Sequence, residues 1–108
     1  MKTGLYKVDF RTPLGAGAGV VVIEDGKVRG GDSAIAYFGT YHLEQDNFTA
    51  TVRTLRHTAN PQLVNVFGHD DVEIRLAGKF TGDSADVQGS SPQAPGVTFG
   101  ARLTRIAD

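Results

Sequence analysis

Apolar and polar residues alternate over many short segments of the chain, which is the period-two pattern of half-buried β-strands. In the first segment the apolar positions are Tyr6, Val8 and Phe10, and charged residues stand between and after them. Strand patterns fall at residues 5–11, 15–24, 27–29, 34–43, 48–57, 72–77, 82–89 and 97–104. About eight short strands, separated by turn residues at near-regular spacing, predict an all-β sandwich or barrel.

Two connections between these segments carry signals of their own. Asp25-Gly26 predicts a tight hairpin, because both turn positions need a positive φ, which glycine adopts freely and aspartate tolerates. The segment 58–68 departs from the strand pattern and predicts a short helix or a plug. Its apolar residues are Leu63, Val64, Val66 and Phe67.

The composition is that of one ordinary globular domain. The chain has 108 residues, 40% of them hydrophobic and 21% charged, a length that suits a single core. With 11 basic and 12 acidic residues the net charge is -1, whereas nucleic-acid-binding proteins usually carry a basic excess. There is no cysteine, and no apolar stretch reaches the length of a signal peptide or a membrane span. We therefore expect a cytoplasmic protein without direct nucleic-acid or membrane contact.

The residues that could carry chemistry do not form a known motif. The glycine-rich run from Gly15 to Gly19 lacks the third glycine of the dinucleotide fingerprint and precedes a strand, so we interpret it as a bend in a curved sheet. The histidines His42, His57 and His69 lie on separate segments without the spacing of a zinc pair. There is also no Gly-x-Ser-x-Gly elbow. We predict no catalytic residue, no metal site and no cofactor.

A small basic cluster, Arg53, Arg56 and His57, falls at one predicted strand. We interpret it as a solvated sheet face rather than a nucleic-acid patch. Cross-strand ion pairs, for example to Glu73, would complete such a face without any partner molecule.

Three short motifs follow one another in the first half of the chain. Gly4-Leu5-Tyr6 opens the first strand, Gly30-Gly31-Asp32 forms a turn, and Tyr37 and Gly39 lie in the strand after it. In this order they resemble the N-terminal half of the GrlR-type negative regulators of type III secretion. The resemblance covers residues 1–57, and the second half is similar only in its strand pattern.

The resemblance implies an eight-stranded, lipocalin-like barrel that dimerises and binds a transcriptional activator, holding it off its promoter. In that family, four exposed acidic residues after the fourth strand are implicated in activator binding. The corresponding residues here are Glu44, Gln45, Asp46 and Asn47, of which the first and third keep the charge. We take these four residues as the candidate partner-binding turn.

The strand segment Val20, Val21, Val22 and Ile23 is apolar on both faces. An eight-stranded barrel has only one interior, so the outer face of this strand needs another cover. A two-fold subunit interface would provide it, and we take these four residues as the candidate dimer interface. The alternatives are a sandwich with a second layer and a cover formed by residues 63–67.

Two functions are consistent with these features. The first is a regulatory protein that captures a transcriptional activator through polar loops. The second is a carrier of a small apolar ligand, since the small residues from Gly15 to Gly19 leave room inside a barrel. The residues that would line its cavity, or fill it, are Tyr6, Phe10, Phe48 and Phe99. Neither function requires catalysis.

Overall fold

Eight antiparallel strands close into a barrel in the computed structural model, which describes residues 2–59 and 71–108. Each strand pairs with the next along the chain, and the last pairs with the first. No helix in this part of the chain could cross a membrane. The strands are β1 (Gly4–Thr12), β2 (Gly15–Glu24), β3 (Lys27–Gly31), β4 (Ile35–Glu44), β5 (Asn47–Arg56), β6 (Glu73–Thr81), β7 (Ser84–Ser90) and β8 (Phe99–Ala107).

The all-β prediction and the eight-stranded lipocalin-like barrel are therefore confirmed, and the sandwich alternative does not occur. The strand bounds differ from the predicted ones by a few residues, because the ladders extend into positions with small side chains or none, such as Ala107 and Gly31. The helix or plug predicted around residues 63–67 lies outside the described residues.

The apolar positions of the alternating segments face the barrel interior. Tyr6 is fully buried and Val8 is nearly so, whereas Lys7 and Asp9 between them are exposed. The same period holds on the other strands, because successive side chains point to opposite sides of a sheet. The buried apolar cluster comprises Tyr6, Val8, Val21, Ile23, Val28, Phe48, Ala50, Val52, Val72, Ile74, Phe80, Ala85, Val87, Ala94, Phe99, Ala101 and Leu103.

The two ends of the barrel differ in their connections. At one end, which we call the turn end, two-residue turns join β2 to β3, β4 to β5 and β6 to β7. The predicted hairpin at Asp25-Gly26 is confirmed there, with φ of 52° and 78°. At the other end, which we call the loop end, the longer segments 32–34 and 91–98 and the two-residue turn Pro13-Leu14 connect the strands.

Four aromatic rings close the barrel interior toward the turn end. Phe80 packs edge-on against Tyr6 at 5.7 Å and against Phe48 at 5.4 Å between ring centroids. Tyr41 stacks on Phe48 at 5.6 Å. Edge-to-face and offset stacked rings stabilise each other beyond the effect of area burial alone. We call Tyr6, Tyr41, Phe48 and Phe80 the aromatic floor.

The outer surface carries ion pairs, although one predicted partner was wrong. Arg53 pairs with Asp71 at 3.2 Å rather than with Glu73, which pairs with Arg75 at 3.2 Å. Register places Arg53 directly opposite Glu73, but the long guanidinium side chain reaches the carboxylate two positions earlier. The Arg53 and Asp71 side chains are both about half exposed, so their pair adds little stability.

Candidate functional site

A cavity of about 250 Å³ occupies the barrel interior between the aromatic floor and the loop end. Most of its lining is apolar and comes from the inner faces of the strands. Of the four residues named from the sequence as lining or filling a cavity, Phe10, Phe48 and Phe99 lie in its lining. The fourth, Tyr6, is not part of the lining: its ring belongs to the aromatic floor, and its hydroxyl donates to the Lys2 carbonyl.

Three aromatic rings surround the part of the cavity nearest the loop end. Phe10 meets Tyr37 edge-on at 6.0 Å and stacks with Phe99 at 6.1 Å. Two inward-facing glycines of β2 make room for them. A Cβ on Gly17 would lie 2.9 Å from the Phe10 ring, and one on Gly19 would lie 2.9 Å from the Tyr37 ring. Part of the space that these small residues leave is therefore filled by aromatic side chains.

Asp32 and Tyr37 place a hydrogen-bonded polar pair in this largely apolar cavity, whose lining also includes Ser33 and Thr54. The Tyr37 hydroxyl donates a hydrogen bond to Oδ2 of Asp32. Oδ1 of the same carboxylate accepts hydrogen bonds from the backbone N–H groups of Ala34 at 2.9 Å and Ile35 at 2.8 Å. Aspartate commonly accepts from the backbone two or three residues later, and this turns the chain from β3 into β4.

The end of β5 holds this turn in place. The backbone N–H of His57 donates to the Ala34 carbonyl at 2.9 Å, and that of Thr58 donates to the same oxygen at 3.3 Å. His57 Nε2 lies 3.0 Å from the Asp32 carbonyl oxygen. A carbonyl oxygen only accepts, so Nε2 donates in this contact. His57 therefore serves as a brace at the cavity rim.

Burial raises the pKa of the Tyr37 phenol above its ordinary value, and the hydrogen bond to Asp32 and the charge of that carboxylate raise it further. Burial also raises the pKa of Tyr6, while the Arg105 charge opposes this. Both phenols therefore hold their protons at neutral pH. A protonated Tyr37 is the form that can donate to Asp32.

We expect an alkaline titration of the tyrosines to contain a late component that is reduced in Tyr37→Phe. Because the pKa of Tyr37 is higher in the folded than in the unfolded chain, its contribution to stability is present below about pH 10 and declines above it. Near-ultraviolet absorbance of tyrosinate measures the titration, and the same titration in denaturant is the control. An unchanged late component in Tyr37→Phe would contradict the assignment.

The candidate partner-binding turn lies at the opposite end of the barrel from Asp32. Glu44 pairs with Asn47 at the ends of β4 and β5, and all four turn residues are exposed. Gln45 has a φ of 56°, a left-handed conformation that residues with a Cβ other than asparagine and aspartate seldom adopt. The turn therefore holds a strained glutamine between two exposed acidic side chains.

The candidate dimer residues are divided between the two faces of β2. Val21 and Ile23 are buried inside the barrel at 4% and 1% exposure, so their side chains are not on the outer wall. Val20, at 42% exposure, and the half-buried Val22 remain on the outer face. Only Val20 and Val22 are therefore available for a contact between the outer face of this strand and another molecule.

The alternation of apolar residues did not single out Asp32 and Tyr37 as site residues. From the sequence, Asp32 was predicted to lie in a turn and Tyr37 in the strand after it, and neither was predicted to line a cavity. The available signal was an aspartate at a strand junction followed by an aromatic residue on the inner face of the next strand. To use this signal, one must know the direction in which the chain enters β4 after Asp32. That direction is fixed only in the closed barrel.

The fold and the cavity define the protein as a small up-and-down β-barrel of the lipocalin-like kind. No family model matches the chain, and no curated protein matches it. The resemblance of residues 1–57 to GrlR-type regulators stays a prediction from their sequence motifs.

Proposed function

We propose that the protein acts by binding rather than catalysis, and that its barrel holds one compact, largely apolar ligand. The observation that carries this proposal is the cavity of about 250 Å³ lined by aromatic and aliphatic side chains. Small barrels whose side chains do not fill the interior commonly hold a single small molecule.

The volume limits the ligand to a small one. Drug-sized molecules occupy pockets of roughly 300–1,000 Å³, and this cavity is below that range at about 250 Å³. A cavity of this volume suits a small organic molecule. A long-chain lipid would not fit inside without displacing the aromatic floor.

Filling the cavity tests the proposal. Ala50 lies on the inner face of β5 and lines the cavity, so Ala50→Leu should weaken the binding of ethylbenzene by about tenfold or more. The matched control is Ala77→Leu, at an exposed position on β6. NMR titration measures both, and native mass spectrometry of the purified protein detects any retained ligand. Unchanged binding in Ala50→Leu, or no binding to the wild type, would contradict the proposal.

We propose as a second function the capture of a transcriptional activator through the turn at residues 44–47, as in the regulators that the chain resembles. The strained Gln45 supports this proposal, because unusual backbone conformations concentrate at functional sites. The turn is separated from the cavity rim by the length of the barrel, so the two functions are independent of each other.

We expect Glu44→Ala combined with Asp46→Ala to lower capture of the activator while leaving the thermal midpoint nearly unchanged. Both side chains are exposed, so their loss removes little folding energy. Glu24→Ala combined with Asp83→Ala removes the same charge from other exposed positions at the turn end and is the control. Co-purification with the activator encoded by the host measures capture. Equal capture by both double variants would exclude the turn as the contact.

We further propose that the protein forms a homodimer through an outer apolar patch, Leu5, Val20, Val22, Phe38 and Leu55. Val20, Phe38 and Leu55 are between 41% and 52% exposed. The ladder registers connect Val20 to Leu55 through Gly31 and Ala36, pair Leu5 with Val22, and place Arg29 between Val22 and Phe38. Exposed apolar patches of this kind mark interaction sites. The mass in solution, measured by sedimentation, tests the proposal.

A further inference from the structure

We propose that the Asp32–Tyr37 pair selects ligands that carry a hydrogen-bond donor and excludes carboxylates. Among the donors, an ammonium group is preferred to a hydroxyl group. This inference rests on the proposed function, since it concerns which small molecules the cavity accepts. It assigns the polar end of the ligand to the loop end of the barrel and its apolar end to the aromatic floor.

The hydrogen bonds of the pair leave acceptors, and no donor, for a ligand. An ionised carboxylate offers about four acceptor positions. Ala34, Ile35 and Tyr37 occupy three of them in Asp32. The Tyr37 hydroxyl has used its single proton on Asp32 and keeps its lone pairs. Both side chains can therefore accept a hydrogen bond from a ligand.

The charge of the cavity has one sign. Asp32 is the only charged side chain among the described residues that line it, and no lysine, arginine or histidine is present among them. A carboxylate ligand would meet a like charge in a partly desolvated place and would find no cation to balance it. An ammonium group would instead pair with Asp32 through a charge-assisted hydrogen bond.

The aromatic rings beside the pair favour the same ligands. Phe10, Tyr37 and Phe99 all line the cavity, and their centroids are 6.0–6.1 Å apart in successive pairs. The faces of aromatic rings attract cations, and aromatic cages recognise ammonium groups for this reason. The rings also supply apolar surface for the body of the ligand.

The pair is fixed before any ligand arrives. The backbone N–H of Asp32 donates to the Ile35 carbonyl at 2.9 Å, and the contacts from His57 and Thr58 hold the other side of the turn. Ser33, next to Asp32, is exposed and also lines the cavity, so the cavity reaches the surface at this turn. A preorganised polar group loses little freedom on binding, which favours selectivity.

Four probes of similar size test the selection: benzylamine, benzyl alcohol, ethylbenzene and benzoate. NMR titration at neutral pH and low salt gives the dissociation constant of each for the wild-type protein. We expect benzylamine to bind about tenfold or more tighter than ethylbenzene. Benzyl alcohol should fall between them, and benzoate should bind most weakly.

Two variants identify the selecting groups. In Asp32→Asn the advantage of benzylamine over ethylbenzene should disappear, while ethylbenzene itself binds as before. In Tyr37→Phe, which keeps the ring and the Asp32 charge, that advantage should shrink but persist. Asp9→Asn removes the same charge from an exposed position on β1 and should leave all four constants unchanged. If Asp32→Asn fails to fold, the dissociation constants of the four probes for the wild type and for Tyr37→Phe still test whether the pair selects hydrogen-bond donors.

The outcomes separate this inference from the proposal beneath it. Binding of ethylbenzene or benzoate as tight as that of benzylamine would overturn donor selection and leave the cavity as a ligand site. An unchanged benzylamine advantage in Asp32→Asn would exclude Asp32 as the selecting group. Failure of all four probes to bind would overturn both the cavity function and the selection.

Discussion

Gly39→Ala is expected to lower the free energy of unfolding by about 3 kcal/mol. Gly39 faces the barrel interior from β4, opposite Val52 on β5. A Cβ at this position would lie 2.0 Å from the Thr51 carbonyl oxygen and 2.8 Å from the Val52 Cα. Both contacts are with backbone, so β4 and β5 would have to separate and weaken their ladder. At about 4–8 °C for each kcal/mol, the thermal midpoint should fall by about 12–24 °C.

Gly100→Ala is the matched control for this prediction. Gly100 also lies within a strand, but the nearest atoms to an added Cβ belong to the Arg11 guanidinium at 3.9 Å. The methyl group fits there, and an alanine restricts the unfolded chain more than glycine does, so stability should change by less than about 1 kcal/mol. Thermal unfolding by circular dichroism measures both variants. Equal losses in the two variants would contradict the steric explanation, because of the two glycines only Gly39 has backbone atoms in the place of an added Cβ.

The strands were predictable because every strand has one buried face. The alternation of Tyr6, Val8 and Phe10 with charged residues follows directly from that arrangement, and Asp25-Gly26 marked a hairpin by local turn chemistry alone. The closure of the sheet into a barrel could not be predicted from the alternation of apolar and polar residues. It depends on β1 pairing with β8, and no local pattern reports a contact between the two ends of a chain.

The candidate site was predictable in its apolar part and not in its polar part. Phe10, Phe48 and Phe99 could be named because an inward-facing aromatic residue must line or fill the interior. The pairing of Asp32 with Tyr37 depends on the path of the turn between β3 and β4, which backbone hydrogen bonds to His57 and Thr58 hold in place. Such tertiary contacts leave no periodic trace in the sequence.

The glycine run of β2 shows how a correct physical idea can be incomplete. Small residues were expected to make room inside a curved barrel, and at Gly17 and Gly19 the structure gives that room to the rings of Phe10 and Tyr37. The cavity is therefore bounded by aromatic side chains at this strand. The carrier hypothesis from the sequence predicted an apolar cavity, and the structure adds a polar group, Asp32, at one end of it.

Phe48→Ala is expected to lower the free energy of unfolding by about 3–5 kcal/mol, because it removes a buried ring and leaves a void. Phe48 is 2% exposed and joins Tyr41 to Phe80 in the aromatic floor. Phe38→Ala makes the same change on the outer face, where the ring is 41% exposed, and should change the stability of the monomer by less than about 1 kcal/mol. Chemical denaturation at several protein concentrations measures both. A large loss in Phe38→Ala that grows with protein concentration would place that ring in a dimer interface, whereas a small loss in Phe48→Ala would show that the floor does not support the barrel.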